Sequence, residues 1–177
     1  MINGLAIDID PKKIETALRR GIPMIRLDAT NMHIFNDNAC LLVSIVHTLE
    51  HLPNLSIIEG VLKESVRVAN RSVYIKGPMF YKDYLAPQGY QFFWSHWKGH
   101  TCHVEPDQII AMMKTLGCRQ YKLNYIGRVV TSTDPCIHPI NGHIDRHEYD
   151  PLLDPPKPMD VAFTQNIFKE FEFVFTL

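Results

Sequence analysis

The chain has 177 residues, a formal net charge of −1 and a hydrophobic content of 46%. A chain of this length can bury roughly 70% of its unfolded surface in one domain. Its near-neutral charge gives no electrostatic reason to expect a nucleic-acid or membrane-surface partner. No apolar run approaches the ~18 residues of a membrane span, and the start lacks the basic-then-apolar pattern of a secretory signal. We therefore expect a single-domain cytoplasmic protein.

The first 28 residues predict two short strands with a helix between them. The first strand stops at Asp8, residues 12–20 predict the helix, and the second strand, over residues 22–27, stops at Asp28. Carboxylates that end consecutive strands in this way are what a nucleotide-binding α/β sheet uses to recognise a ribose and a base. The glycine-rich phosphate turn of such sites normally lies about 20 residues before the first acid, but only seven residues precede Asp8. The chain therefore holds half of such a site.

The middle of the chain predicts a further strand–helix–strand unit. Residues 40–46 are an almost unbroken apolar run, typical of a strand covered on both faces. Residues 55–69 carry apolar side chains at i, i+3, i+4 and i+7, which predicts a helix packed on a sheet. Residues 72–75 predict the next strand, which ends at a Gly-Pro pair.

The C-terminal part predicts a helix over residues 105–116, a strand within 119–130 and a surface excursion rich in Pro, Asp and His over 135–158. Residues 168–177 alternate phenylalanine with other side chains, which indicates a half-buried antiparallel strand. The order of the elements predicts an α/β fold with a doubly wound, mostly parallel sheet and an antiparallel C-terminal edge strand.

Four segments resemble class I S-adenosylmethionine-dependent methyltransferases of the small-molecule group. In order, they match that family's second strand and helix, its third strand, its fourth strand with the following turn, and a late helical segment. The segments are GLAIDIDPKKIETALRRGI, IRLDAT, LLVSIVHTLEHLPN and GHTCHVEPDQIIAMMKTLGC. The resemblance covers most of residues 3–130 and implies a Rossmann-like fold, with S-adenosylmethionine as cofactor and S-adenosylhomocysteine as product.

The resemblance also implies which residues bind the cofactor. Asp8, with Ile9 beside it, would accept hydrogen bonds from the ribose hydroxyls, because a carboxylate accepts from both at once. Asp28 would accept from the adenine amino group, and the backbone N–H of Ala29 would donate to a ring nitrogen. Each carboxylate also has a structural interpretation in place of cofactor binding. A carboxylate at the position of Asp8 can cap a helix, and Asp28 suits a simple turn.

At the end of the fourth strand, the resemblance places Val46 and His47 beside the methionine part and the sulfonium. His47 is the candidate catalytic residue, since a neutral imidazole can take a proton from the methyl acceptor; a structural histidine at a strand–helix corner is the alternative. Tyr81, Tyr84 and His103 are the candidate contacts to a small-molecule acceptor. We expect the neighbouring Glu50 and His51 to pack and cap the turn.

The sequence predicts three parts of one domain over residues 1–177: a cofactor-binding part (3–78), an aromatic segment (79–104) and a C-terminal part (105–177). The aromatic segment is interpreted as a lid over the acceptor, or equally as a subunit interface or a small satellite core. The family's first strand, which lies between its second and fourth strands, has no counterpart in the sequence given.

Three explanations for the missing strand remain open. The natural protein is longer; or another chain, such as a second copy in a homodimer, adds a strand at the open sheet edge; or the second and fourth strands pair directly. The third case would leave a catalytically inactive protein that serves as a binding or assembly module.

The histidines and cysteines predict no metal site. The four cysteines, at positions 40, 102, 118 and 136, are widely spaced, and reduced thiols are expected. Six of the histidines fall in two groups, at positions 96, 100 and 103 and at positions 138, 143 and 147, and the closely spaced pair His143 and His147 lies in a proline-rich loop rather than on a regular helix.

Overall fold

The computed structural model describes residues 4–143, 149–157 and 159–177. The helices are α1 (Pro11–Arg19), α2 (Leu55–Val68), α3 (Lys82–Leu85) and α4 (Pro106–Thr115). The strands are β1 (Ala6–Asp8), β2 (Met24–Arg26), β3 (Cys40–Val46), β4 (Ala69–Pro78), β5 (Tyr90–Phe92), β6 (Gln120–Thr131), β7 (Ile137–Pro139) and β8 (Ala162–Thr176). Among the described residues, no helix combines the length and apolar character that a membrane crossing requires.

The N-terminal strands β1 and β2 form a parallel pair joined by α1. The helix begins where the Asp10 side chain accepts a hydrogen bond of 2.8 Å from the Lys12 backbone N–H, and where Pro11 lies in the first turn. It ends before Gly21, whose φ of 73° is a conformation that glycine adopts without steric cost. The predicted order of strand, helix and strand is confirmed.

The second sheet has four strands in the order β3-β4-β8-β6. Strands β3 and β4 are parallel and connected by α2, whereas β8 runs antiparallel to both β4 and β6. The predicted α/β class, with parallel strands followed by antiparallel C-terminal strands, is confirmed. The outer position at this end belongs to β6, however, because β8 pairs on both of its sides.

The hydrophobic core lies against the phenylalanine side of β8. Phe171, Phe173 and Phe175 are at most 1% exposed, while Val174, on the other face, is 39% exposed. Opposite them, α2 and α4 contribute their buried apolar faces. The period of two that the sequence predicted for this strand therefore separates a buried face from a more open one.

The expectation that β3 is covered on both faces is wrong. Leu41, Leu42 and Val46 are 73%, 52% and 46% exposed. The reason is that β3 lies at the margin of its sheet, where, among the described strands, it pairs with β4 alone. Among the strands that the structure describes, β1 pairs only with β2, so the direct pairing of β1 with β3 is not observed.

The proline-rich excursion is only partly at the surface. Residues 136–139 are buried because β7 pairs with β5 of the aromatic segment. Residues 144–148, which include His147 of the closely spaced pair, and residue 158 lie outside the described part of the chain. In the aromatic segment, Phe80, Tyr90 and Phe92 are fully buried, so much of it forms core.

The Phe alternation in β8 leads to a stability prediction. Phe173→Ala should lower the free energy of unfolding by about 3–5 kcal/mol, because it removes a fully buried ring and leaves a cavity. The matched control is Val174→Ala on the more exposed face, which should cost less than about 1.5 kcal/mol. Urea unfolding of both variants measures the difference, and equal costs would contradict the assigned faces.

Candidate functional site

The carboxylates of Asp8 and Asp28 both lie at the carboxyl end of the parallel β1–β2 pair. Asp8 is in register with Arg26, and Asp28 follows two residues later. Asp8 is partly buried; its Oδ1 accepts from the Asp10 N–H at 2.8 Å, and its Oδ2 lies 3.6 Å from Lys13 Nζ. Ile9, directly after it, is 64% exposed. The structure therefore brings together the carboxylates predicted for the ribose and the base.

The Asp28 carboxylate shapes the turn after β2. Its Oδ1 accepts from the Thr30 backbone N–H at 2.8 Å and from the Thr30 hydroxyl at 2.7 Å. These hydrogen bonds lower the pKa of Asp28, so the group is an acceptor at neutral pH. The hydrogen bonds described for Asp28 engage Oδ1, and the residue as a whole is exposed. The next residue, Ala29, packs against the core.

An ion-pair cluster fastens the segment after β2 to α2. Arg67 donates to Glu64, to Asp37 and to the carbonyls of Met32 and Phe35 at 2.8–3.0 Å. Glu64 also accepts from the Met32 N–H at 2.7 Å. Because α2 packs on β3 and β4, this cluster fixes the segment that follows the Asp28 turn relative to the four-stranded sheet.

His47 lies between two carboxylates at the end of β3. Its Nδ1 is 3.3 Å from Glu50 Oε1, and its Nε2 is 2.8 Å from Glu170 Oε1. A positive φ of 46° at His47 turns the chain sharply after Val46. Both ring nitrogens therefore lie beside carboxylate oxygens, which fixes the orientation of the ring. A ring nitrogen that donates to a carboxylate has no free lone pair, so it would have to lose that proton before it could accept one from another group.

Glu170 links this histidine to the neighbouring strand. Its Oε2 lies 2.9 Å from Lys76 Nζ, and this hydrogen bond raises the pKa of Lys76. No local sequence pattern connects Glu170 with His47, because Glu170 lies in β8, far along the chain. The sequence offered one signal for Glu170: it lies on the polar face of the strand in which phenylalanines alternate with other side chains.

The three candidate acceptor contacts have different surroundings. Burial raises the pKa of Tyr81 to about 12. The Tyr84 hydroxyl accepts from the Thr164 and Gln165 N–H groups at 3.0 and 3.2 Å, which holds it against the start of β8. The His103 ring stacks on Phe80 with centroids 4.1 Å apart, and burial lowers its pKa. Tyr84 is thus engaged structurally, whereas His103 is a neutral ring in an aromatic setting.

Comparison with known proteins identifies the fold. No protein-family model matches the chain, and a search of curated proteins finds no match. Solved structures do match, with probability 1.00. A SAM-dependent methyltransferase from Archaeoglobus fulgidus superposes with a TM-score of 0.64 at 13% identity, over 98% of this chain and 75% of that one. The chain has the fold of SAM-dependent methyltransferases.

Two further methyltransferase structures agree. One from Thermotoga maritima gives a TM-score of 0.57 at 12% identity, over 96% of this chain and 71% of that one. One from Methanosarcina mazei gives 0.54 at 12% identity, over 98% of this chain and 81% of that one. The resemblance found in the sequence motifs is therefore confirmed at the level of the fold.

Burial of Glu105, next to Tyr81, predicts a pH effect. Burial raises the pKa of Glu105, against the backbone hydrogen bonds from Tyr81 and Phe80. The folded state thus holds the proton more firmly than the unfolded state, so stability falls as pH rises from the ordinary Glu value through the raised pKa. Glu105→Gln keeps an acceptor oxygen without the charge.

We expect the stability advantage of Glu105→Gln over the unmodified chain to grow between pH 4.5 and pH 8. Urea unfolding at several pH values measures it, with Asp107→Asn, at an exposed position of the same helix, as control. A difference that stays constant with pH, or shrinks, would contradict the assignment.

Proposed function

We propose that the chain binds S-adenosylmethionine at the carboxyl ends of β1, β2 and β3 and takes part in methyl transfer to a small-molecule acceptor. The observation that carries the proposal is the pair of carboxylates, Asp8 and Asp28, at the carboxyl end of a parallel strand pair in a methyltransferase fold. Open α/β sheets bind ligands outside the carboxyl ends of their strands.

The residues present suit the adenosine half of that cofactor. Asp8 is the acceptor for the ribose hydroxyls, with Ile9 beside the sugar. Asp28, an exposed residue, is the acceptor for the adenine amino group, and the Ala29 N–H is the donor to the ring. When bound, the cofactor supplies a methyl group already activated on a sulfonium, so the protein's main task is to orient the acceptor.

The reaction centre in this proposal is the end of β3. Val46 and His47 lie beside the transferred methyl group. Held by Glu50 and Glu170, the His47 ring is fixed in orientation, and it accepts a proton from the methyl acceptor only through a ring nitrogen that carries none. The acceptor's contacts are Tyr81, Tyr84 and His103, of which His103 has the neutral ring suited to a planar or apolar group.

Binding of S-adenosylhomocysteine to the 177-residue chain tests the proposal. Calorimetric titration should give micromolar affinity, and Asp8→Ala should weaken it about 10- to 100-fold. That factor corresponds to the loss of hydrogen bonds to a charged acceptor, about 1.5–3 kcal/mol.

The control is Asp10→Ala, which removes the carboxylate that caps α1 and leaves the ribose acceptor in place. It should bind like the unmodified chain. Absence of binding at millimolar ligand would contradict cofactor binding by this chain and would favour the alternative, a catalytically inactive binding or assembly module.

Within the described part of the chain, β1 and β3 each have one side without a partner strand, and such a side suits a further strand. Exposed Leu41 and Leu42 lie on β3, and strand edges of this kind pair with other chains. A second copy of the chain is the partner we propose for this edge, in a homodimer.

Sedimentation equilibrium tests the homodimer. The unmodified chain should associate as its concentration rises, and Leu41→Lys should weaken association at least tenfold, because a charge at a strand edge opposes pairing. Leu152→Lys, at a loop residue that is 90% exposed, should have no effect. A monomer at every concentration would contradict the proposal.

A further inference from the structure

A group of three side chains outside the carboxylate pair has the composition of a metal site. A carboxylate oxygen of Glu50 and one ring nitrogen each from His51 and His100 all lie within 4.8 Å of one another. Glu50 and His51 belong to a short 3₁₀ turn after β3, and His100 follows the aromatic 3₁₀ turn that ends at residue 96. Distant parts of the chain thus place three metal-ligating groups together.

Both imidazole rings are held as in metal-binding histidines. His51 Nδ1 lies 2.8 Å from the Gly99 carbonyl oxygen, and His100 Nδ1 lies 2.9 Å from the Trp94 carbonyl oxygen. A carbonyl oxygen only accepts, so Nδ1 is the donor in each ring and Nε2 is the nitrogen left for a metal ion. Metal-ligating histidines are commonly oriented in this way by a carboxylate, a backbone carbonyl or water.

The third group, Glu50, is a buried carboxylate. The residue is 1% exposed, and a buried charge needs a partner or a metal ion to offset its lost hydration. Its contact with His47 Nδ1 measures 3.3 Å, longer than the 2.7–2.9 Å of a strong charge-assisted hydrogen bond. A divalent cation between Glu50 and the two histidines would offset the charge of this buried carboxylate more closely than the His47 contact does.

We propose that Glu50, His51 and His100 bind one divalent transition-metal ion of the Zn²⁺ type. Two imidazole nitrogens and one carboxylate oxygen suit Zn²⁺ and its neighbours, whereas Mg²⁺ prefers oxygen ligands. Three protein ligands leave a fourth position for water or another oxygen, and His51 at the surface opens that position to solvent. The ion would share Glu50 with His47 and so lie beside the end of β3.

Cobalt titration of the 177-residue chain under reducing conditions tests this site without any methyl donor. Co²⁺ should bind one to one with a visible d–d absorption band, and Zn²⁺ should displace it. His51→Ala and His100→Ala should each raise the dissociation constant at least tenfold. His33→Ala, at an exposed histidine away from the cluster, should leave it unchanged.

A second measurement needs no variant. Zn²⁺ should protect His51 and His100, but not His33, from modification by diethyl pyrocarbonate, as read by mass spectrometry. Absence of protection, unchanged affinity in both alanine variants, or a strong thiolate-to-cobalt charge-transfer band would overturn the proposal; the last would place the ion on cysteines. Since no cofactor is present, failure here is distinct from failure of the proposed methyltransferase function.

Discussion

The structure depends on β8, a strand hydrogen-bonded on both sides and divided by its pleat into two chemically different faces. One face supplies Phe171, Phe173 and Phe175 to the core. The other carries Glu172, which accepts from the Tyr74 hydroxyl and the Asn124 amide at 2.9 and 3.0 Å. Just before the core residues, Glu170 reaches Lys76 and His47. The pairing that completes the core therefore also places a carboxylate at the end of β3.

Strands β1 and β3 differ from β8 in their pairing. Among the described strands, each of them has a partner on one side, and β3 exposes apolar side chains that a central strand would bury. An open edge of this kind favours addition of a strand, because the added strand satisfies backbone groups and covers apolar surface together. The carboxylates proposed to hold adenosine follow β1 and β2, and His47 follows β3.

The turn from His47 to His51 connects both proposed sites. The positive φ at His47 directs its ring to Glu50 and Glu170. Three residues later, Glu50 and His51 face His100. Glu50 belongs to both groups, so its charge is shared between a histidine at the proposed reaction centre and the proposed metal ion. Any change in one site will alter the electrostatic environment of the other.

Local patterns in the sequence determined α1, α2, α4, most strands and the methyltransferase resemblance, because the period of apolar residues and the residues at helix ends act over a few positions. They also located Asp8, Asp28 and His47, which directly follow or end strands. The exposure of β3, the internal place of β8 and the burial of residues 136–139 required the tertiary structure. So did the contacts of His47 with Glu170 and of His51 with His100. These depend on which strands become neighbours, and strand pairing joins residues whose separation along the chain leaves no periodic signal.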